Sequence, residues 1–558
     1  MATIRKEIVK VAINRAYALL DFNIQNNIEK QHVFKIQTVL AEKSLTKDEK
    51  SYAVKDLNNA LDYFKIVNNQ GTKRICENCH DECLAILYCE HCIRNYLKEN
   101  FSNWTSGNND IDNLIQQCQI KALSPAMIVE WIPYNNLQNI KYLTKGGCSE
   151  IYTALWIDGN YEEWDPKEKQ LKRCGRINVV LKKLENVESA NKSWFDEGIS
   201  HLHISSKTSL IVRCYGLTQN PFNGNYMLVM YPMNINLREY LQQNHNKLTW
   251  KEGIQIISDI VTTVSMIHQE NAIHRDLHSG NVLFSQINQG FYVSDLGFCG
   301  PANIPLDSIY GNLSYIAPEV IVKKKYSFAS DIYSIGMLMW EISSGQPPFI
   351  KKHDYDLAIK IINGMRPKII PGTPLEYKEL MEQCWDANPM KRPDIGTLLN
   401  KFRDLLRVYT QNENEQRIIS KFININNSQL NTRFNVNSSS TNSSFFGRFS
   451  VSSSNWNISS SRVYNFENLP EPRNATKVEQ DAYHSIQFDF DLQDGMIIVE
   501  KKSNKRSYFN DDEKDLAYNS NKKVNSNNNE EIQYHEIGYQ YMQRTYATSK
   551  MDLNYLLN

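Results

Sequence analysis

Three short polar phrases at fixed intervals between residues 274 and 319 constrain the fold of this chain more than any other feature. They are His274-Arg275-Asp276-Leu277-His278-Ser279-Gly280-Asn281, then Asp295-Leu296-Gly297 after 13 intervening residues, then Ala317-Pro318-Glu319. Singly, Asp and Asn in such places cap helices and make turns. In series they supply a carboxylate and two hard oxygen donors of the kind that bind divalent cations. A catalytic loop followed by a metal-binding loop explains that series better than chance turns do.

The series resembles the eukaryotic protein kinase family, and the likeness extends over roughly 270 of the 558 residues. It implies an α+β, bilobal fold with an antiparallel β-rich small lobe and a helical large lobe. It also implies ATP and Mg²⁺ as cofactors and protein hydroxyls as acceptors. By that resemblance Asp276 orients the acceptor hydroxyl and takes its proton, while Asn281 and Asp295 hold Mg²⁺ on the phosphates. Such a transfer depends on positioning and charge compensation more than on covalent help.

Upstream, Val179-Val180-Leu181-Lys182 resembles the strand whose lysine contacts the α- and β-phosphates. Lys183 is adjacent, but strand alternation turns it to the other face. Fifteen residues on, Trp194-Phe195-Asp196-Glu197 resembles the middle of the helix that carries the lysine's partner. Glu197 is preferred there, with Asp196 as the rival. The nucleotide-covering loop is eroded: Thr144 and Ser149 replace its first and third glycines, leaving Gly146 with Gly147 beside it, then Ile151. Side chains there restrict the approach of backbone to phosphate, which predicts weaker nucleotide affinity or a stiffer loop. Ile157 to Arg176 read as a hairpin insertion of 20 residues. Met230 resembles the gatekeeper, with Tyr231 to Met233 beside the adenine. Asp331 would anchor the catalytic-loop backbone, and Arg392 would pair with Glu319.

The acceptor type is less direct. Serine/threonine kinases usually carry Lys two positions after the catalytic Asp, and tyrosine kinases carry Ala-Ala-Arg-type runs. His278-Ser279-Gly280 is neither. Met365-Arg366-Pro367 and the Cys384-Trp385 segment resemble the tyrosine-kinase-like group, whose members mostly phosphorylate serine or threonine. The expected function is therefore a serine/threonine protein kinase in signal transduction. The alternatives are a tyrosine or dual-specificity kinase, and a pseudokinase scaffold for which the eroded loop is the argument. Ser308, Tyr310, Ser314 and Tyr315 are the hydroxyls between Asp295 and Glu319. Arg275 would receive a phosphate placed on one of them.

Outside the kinase-like region, 137–408, four segments are expected. Residues 1–72 read as helices, with a Thr46/Glu49 capping box and a stripe of Ala53, Leu57, Ala60, Leu61 and Phe64. Residues 73–100 hold five of the 11 cysteines. There Cys76-x-x-Cys79 and Cys89-x-x-Cys92 make two knuckles suited to a structural Zn²⁺. Cys83, His80 and His91 are spare ligands; unbound thiols or a redox dithiol are the alternatives. Residues 101–136 read as a linker. Residues 409–558 hold 24 Asn, three Gly and two Pro, a composition expected to be largely disordered. Ser485 to Glu500 stands out within it as a short strand pair or docking segment.

With 62 basic and 62 acidic residues, the chain offers no field for nucleic acid. The N-terminal unit is expected to recruit an adaptor protein or to dock on the small lobe. No apolar run is long enough to span a membrane and the N-terminus lacks an export signal. A cytoplasmic location with reduced thiols is expected.

Overall fold

A computed structural model of the chain describes residues 4–20, 24–145, 149–184, 194–205, 208, 210–301, 309–323, 325–349, 354–409 and 461–493. Three helices come first: α1 (Lys6–Ala18), α2 (Ile28–Ala41) and α3 (Lys47–Asn68). Their apolar faces meet around Val9, Ile13, Val39, Ala53 and Leu57. The capping box at the head of α3 forms as the sequence implies. The Glu49 amide donates to the Thr46 hydroxyl and the Thr46 amide donates to the Glu49 carboxylate.

The cysteine-rich stretch folds as a small ribbon, β1 (Arg74–Ile75) with β2 (Glu82–Cys83), followed by α4 (Glu90–Glu99). Asp62 on α3 clamps its loop by accepting from the amides of Ile86 and Leu87 at 2.6 and 2.8 Å.

The stretch expected as a linker, 101–136, carries two elements of the small lobe. Helix α5 (Asn109–Ile120) starts at an Asn108 cap, and β3 (Glu130–Trp131) lies at one edge of the main sheet. The other strands are β4 (Leu137–Lys145), β5 (Glu150–Trp156), β8 (Ile177–Lys183), β9 (Cys214–Gln219) and β10 (Tyr226–Met230). The spatial order is β3-β9-β10-β8-β5-β4, antiparallel except for β3 on β9. Between β5 and β8 the insertion forms the expected hairpin, β6 (Tyr161–Asp165) with β7 (Gln170–Arg173). Trp164 and Leu171 of this hairpin share one core with Cys76, Tyr88, Ile93 and Leu97. The cysteine-rich unit is therefore bound to the small lobe through the insertion.

Helix α6 (Trp194–Ser205) packs beside the sheet. Its Leu202 is buried with Ile111 and Ile115 of α5 and with Leu184, Leu228 and Met230.

The large lobe follows. In order it contains β11 (Ile235–Asn236), α7 (Leu237–Asn244), α8 (Trp250–Gln269), β12 (Ala272–Ile273), β13 (Val282–Ser285), β14 (Gly290–Val293), β15 (Gly300–Pro301) and β16 (Ile309–Gly311). Then come α9 (Pro318–Lys323), α10 (Phe328–Ser344), α11 (Asp354–Ile362), α12 (Leu375–Cys384) and α13 (395–409). Helices α8 and α10 are buried nearly all round and form its centre.

The tail departs from expectation over its described residues, 461–493. Strand β17 (Arg462–Tyr464) pairs antiparallel with β16, and α14 (Lys477–Gln493) follows. Residues 485–493 are thus helical, not a strand pair. Asn-rich composition misleads here because Tyr464 is buried in the large-lobe core and Phe466, Leu469 and Tyr483 pack against it. The rest of the segment expected to be disordered, 410–460 and 494–558, lies outside the described residues.

Candidate active site

The site lies between the lobes, and each element brings one kind of group to it. On β8, Lys182 stands opposite Ile151 of β5 and Leu228 of β10. Its ammonium sits 2.7 Å from Glu197 of α6 and 2.8 Å from Asp295. Glu197, the preferred of the two acidic candidates, is thus the lysine's partner. Burial alone would lower the Lys182 pKa. The charges of Asp295 and Glu197 outweigh it and hold the ammonium well above its ordinary range.

Asp295 takes a left-handed backbone conformation (φ 57°, ψ 69°) and its carboxylate accepts from the Gly297 amide. The next amide, Leu296, donates to Nε2 of His201 at 3.0 Å. His201 is buried on α6 one turn after Glu197, so one helix face positions both the lysine and the Asp295 loop. Sequence reasoning missed His201; its i+4 spacing from Glu197 was the available signal.

The loop 274–281 hangs from α10. Asp331 accepts from the amides of His274 and Arg275 at 2.9 and 3.1 Å and from His268 Nε2 at 2.9 Å. Burial would raise its pKa, but these donors and the nearby histidines keep it below the usual carboxylate value. Asp331 anchors the loop as its motif position implies.

Asn281 Nδ2 donates to the backbone carbonyl of Asp276 at 2.9 Å and to its Oδ2 at 3.3 Å. Ser294 donates twice to the Asn281 carbonyl. Asn281 is thereby fixed beside both Asp276 and Asp295. Among the groups flanking the loop, Ser279 donates to Glu341, which also accepts from Tyr315 and pairs with Arg238. Ser279 therefore holds the loop to α10 and α7. Farther out, Arg392 meets Glu319 through two 2.7 Å hydrogen bonds.

At the hinge, Met230 is buried among Leu184, Leu202 and Leu228. The Tyr231 amide donates to the Arg213 carbonyl, and Tyr231 and Met233 are half-buried. In the glycine-poor loop, Thr144 pairs with Ile151 and Ser149 is buried. Gly146 and Gly147 lie outside the described residues. Tyr310, Ser314 and Tyr315 are buried, and Ser308 lies outside the described residues. The Arg275 guanidinium stands 5.8 Å over the Tyr326 ring.

Ser461 was also missed, and nothing in its local sequence marks it. Its hydroxyl lies 2.8 Å from Asp276 Oδ1 and 2.9 Å from His278 Nε2.

The cysteine cluster is a second candidate site. Sγ of Cys76, Cys79, Cys89 and Cys92 lie within 4.8 Å of one another. The Cys76–Cys92 and Cys79–Cys89 separations are 3.6 Å each. Sulfurs about 2.3 Å from a tetrahedral zinc stand about 3.8 Å apart, so the donor set fits zinc. Amides of Asn78 and Cys92 point at Cys76 and Cys89 sulfurs, as thiolate acceptors require. Of the spare ligands, Cys83 clusters with Cys89 and Glu90. Neither His80 nor His91 joins a cluster among the described residues.

Comparison with known proteins agrees with this geometry. Residues 137–402 match the family model described as protein tyrosine and serine/threonine kinase. The human dual serine/threonine and tyrosine protein kinase is 29% identical over 251 residues, covering 43% of this chain and 27% of the relative. The dual specificity protein kinase zakA of Dictyostelium discoideum is 32% identical over 211 residues, covering 34% of this chain and 27% of the relative. The chain thus spans about a quarter of the length of these relatives. Over residues 137–402, just under half of its length, the chain is similar to the eukaryotic protein kinase superfamily and to its dual-specificity and serine/threonine members.

Proposed function

We propose that the chain is an active protein kinase that transfers the γ-phosphoryl group of ATP to serine and threonine hydroxyls, in signal transduction. The acceptor oxygen attacks the γ-phosphorus and its proton passes to Asp276. Lys182, fixed by Glu197, compensates charge on the α- and β-phosphates. Asn281 and Asp295 supply the hard oxygens that would hold Mg²⁺, whose chemistry when bound is to neutralise charge on the phosphates. Met230 to Met233 would line the adenine site.

One observation carries the acceptor class. With peptide backbone paired to β16, a serine hydroxyl reaches Asp276 at 2.8 Å. A tyrosine hydroxyl stands several ångströms farther from its own backbone and would need the strand to sit farther out. The names of the relatives favour a second reading, dual specificity. The pseudokinase reading rests on Thr144 and Ser149 alone, against a complete set of polar groups. A panel of Ser, Thr and Tyr peptides offered with Mg-ATP tests the class. Transfer to Ser and Thr peptides is expected; transfer to Tyr peptides alone would contradict it.

The four-cysteine cluster is read as a structural zinc site, without an open position for chemistry. No described helix is long and apolar enough to cross a membrane. A cytoplasmic setting suits the ten described cysteines, none of which is in a disulfide. The N-terminal unit, seated on the small-lobe hairpin, would present its outer face to an adaptor protein.

A further inference from the structure

The tail segment crosses the mouth of the active site, and its first described residue is the one that touches the catalytic carboxylate. We propose that residues 461–484 occupy the protein-acceptor groove of their own active site, with Ser461 as an autophosphorylation site whose modification releases the segment. The proposal deepens the kinase reading above and rests on it.

The hydrogen-bond pattern around Ser461 is that of an acceptor poised for transfer. The Gly280 amide donates to Nδ1 of His278 at 3.0 Å. With Nδ1 accepting, the neutral ring carries its proton on Nε2 and donates to Ser461 Oγ at 2.9 Å. The Ser461 hydroxyl is then free to donate to Asp276 Oδ1 at 2.8 Å. A Cβ on Gly280 would stand 2.7 Å from the His278 ring, so a side chain there would displace the ring.

The segment is held as a bound peptide is held. Gly311, Tyr310 and Ile309 of β16 pair with Arg462, Val463 and Tyr464, the three residues after the acceptor. This is strand addition to an exposed edge, in which backbone gives affinity and alternate side chains give specificity. Arg462 pairs with Asp354 at 3.1 Å, and Tyr464 is buried. Beyond the strand, Asn474 bonds Ala387 and Asp386, Gln480 bonds Gly364, and His484 bonds the Arg366 carbonyl. Gly364 (φ +88°) takes the tail so closely that a Cβ would meet the Ala475 nitrogen at 2.1 Å.

The transfer balances without a further reactant than ATP. Ser461 Oγ forms a bond to the γ-phosphorus, and the bond from that phosphorus to the β–γ bridging oxygen breaks. The electron pair leaves with ADP and the hydroxyl proton goes to Asp276. The product places a phosphate dianion against the Asp276 carboxylate, beside His278 Nε2. Like-charge repulsion then favours release.

Two measurements on the full chain test this. In the first, unphosphorylated wild type, Ser461→Ala, Tyr464→Ala and Arg462→Glu are followed with Mg-ATP and a serine peptide. Arg462→Glu breaks an exposed ion pair and keeps the core if Tyr464→Ala does not fold. Wild type is expected to show a lag, with phosphate appearing on Ser461 at a rate independent of chain concentration. Arg462→Glu and Tyr464→Ala should start without a lag, and Ser461→Ala should stay slow throughout. In the second, a synthetic 461–484 peptide is titrated onto the Arg462→Glu chain, with and without phosphate on Ser461. The unmodified peptide should bind, and phosphate should weaken it by about tenfold or more. Absence of phosphate on Ser461 in a chain that phosphorylates the external peptide without lag overturns the proposal. So does failure of the unmodified peptide to bind. Transfer to no acceptor by any variant, with peptide binding intact, overturns the kinase reading and the autophosphorylation step with it.

Discussion

Arg392 illustrates what one side chain does in this fold. Its guanidinium is fully buried, meets Glu319 at 2.7 Å, donates to the carbonyls of Asp386 and Ala329, and lies 5.2 Å over the Tyr333 ring. Removing one partner of such a pair leaves an uncompensated buried charge. Glu319→Ala should therefore cost about 3–5 kcal/mol, read as a lowered thermal midpoint of the large lobe. An unchanged midpoint would contradict that role. This pair was legible because both residues sit at motif positions, as did Lys182, Asp276, Asn281, Asp295 and Asp331. His201 and Ser461 were not. His201 acts through a contact to Leu296, 95 positions away, and Ser461 through one to Asp276, 185 positions away. Short-range pattern carries no record of such distances.

At the scale of elements, composition and periodicity gave uneven guidance. The helices of 1–72, the capping box and the insertion hairpin follow from local signals. Helix α5 had the same signals, an Asn108 cap and Ile111, Ile115 and Cys118 on one face. They were outweighed by the mixed polarity of its surroundings. In the structure that face packs against Leu202 of α6, so the segment before the kinase region supports the helix that carries Glu197. The cysteine-rich element depends on four thiolates that would repel without an ion between them. Chain purified under reducing conditions should contain one zinc, and chelation should lower its thermal midpoint. Less than stoichiometric zinc, or a midpoint indifferent to chelation, would contradict a structural metal.

Among the described residues, a two-lobed domain similar to protein kinases is gripped at both ends by its own chain. The N-terminal bundle and cysteine-rich unit hold the small lobe through Trp164 and Leu171, with Lys55 of α3 paired to Glu163. The tail holds the large lobe through Tyr464, Phe466, Leu469 and Tyr483. Few apolar residues in a polar segment suffice when a prepared surface receives them, since each buried side chain contributes on the order of 1.5–3 kcal/mol. That is why tail composition predicted disorder where residues 461–484 dock. The central claim is that Asp276, in this assembled setting, accepts the proton of a protein hydroxyl during phosphoryl transfer. Its most direct test is kcat for a serine peptide with saturating Mg-ATP, comparing wild type with Asp276→Asn. The account predicts a loss of about 10²–10⁴-fold with ATP affinity unchanged. Equal kcat in the two proteins would contradict it.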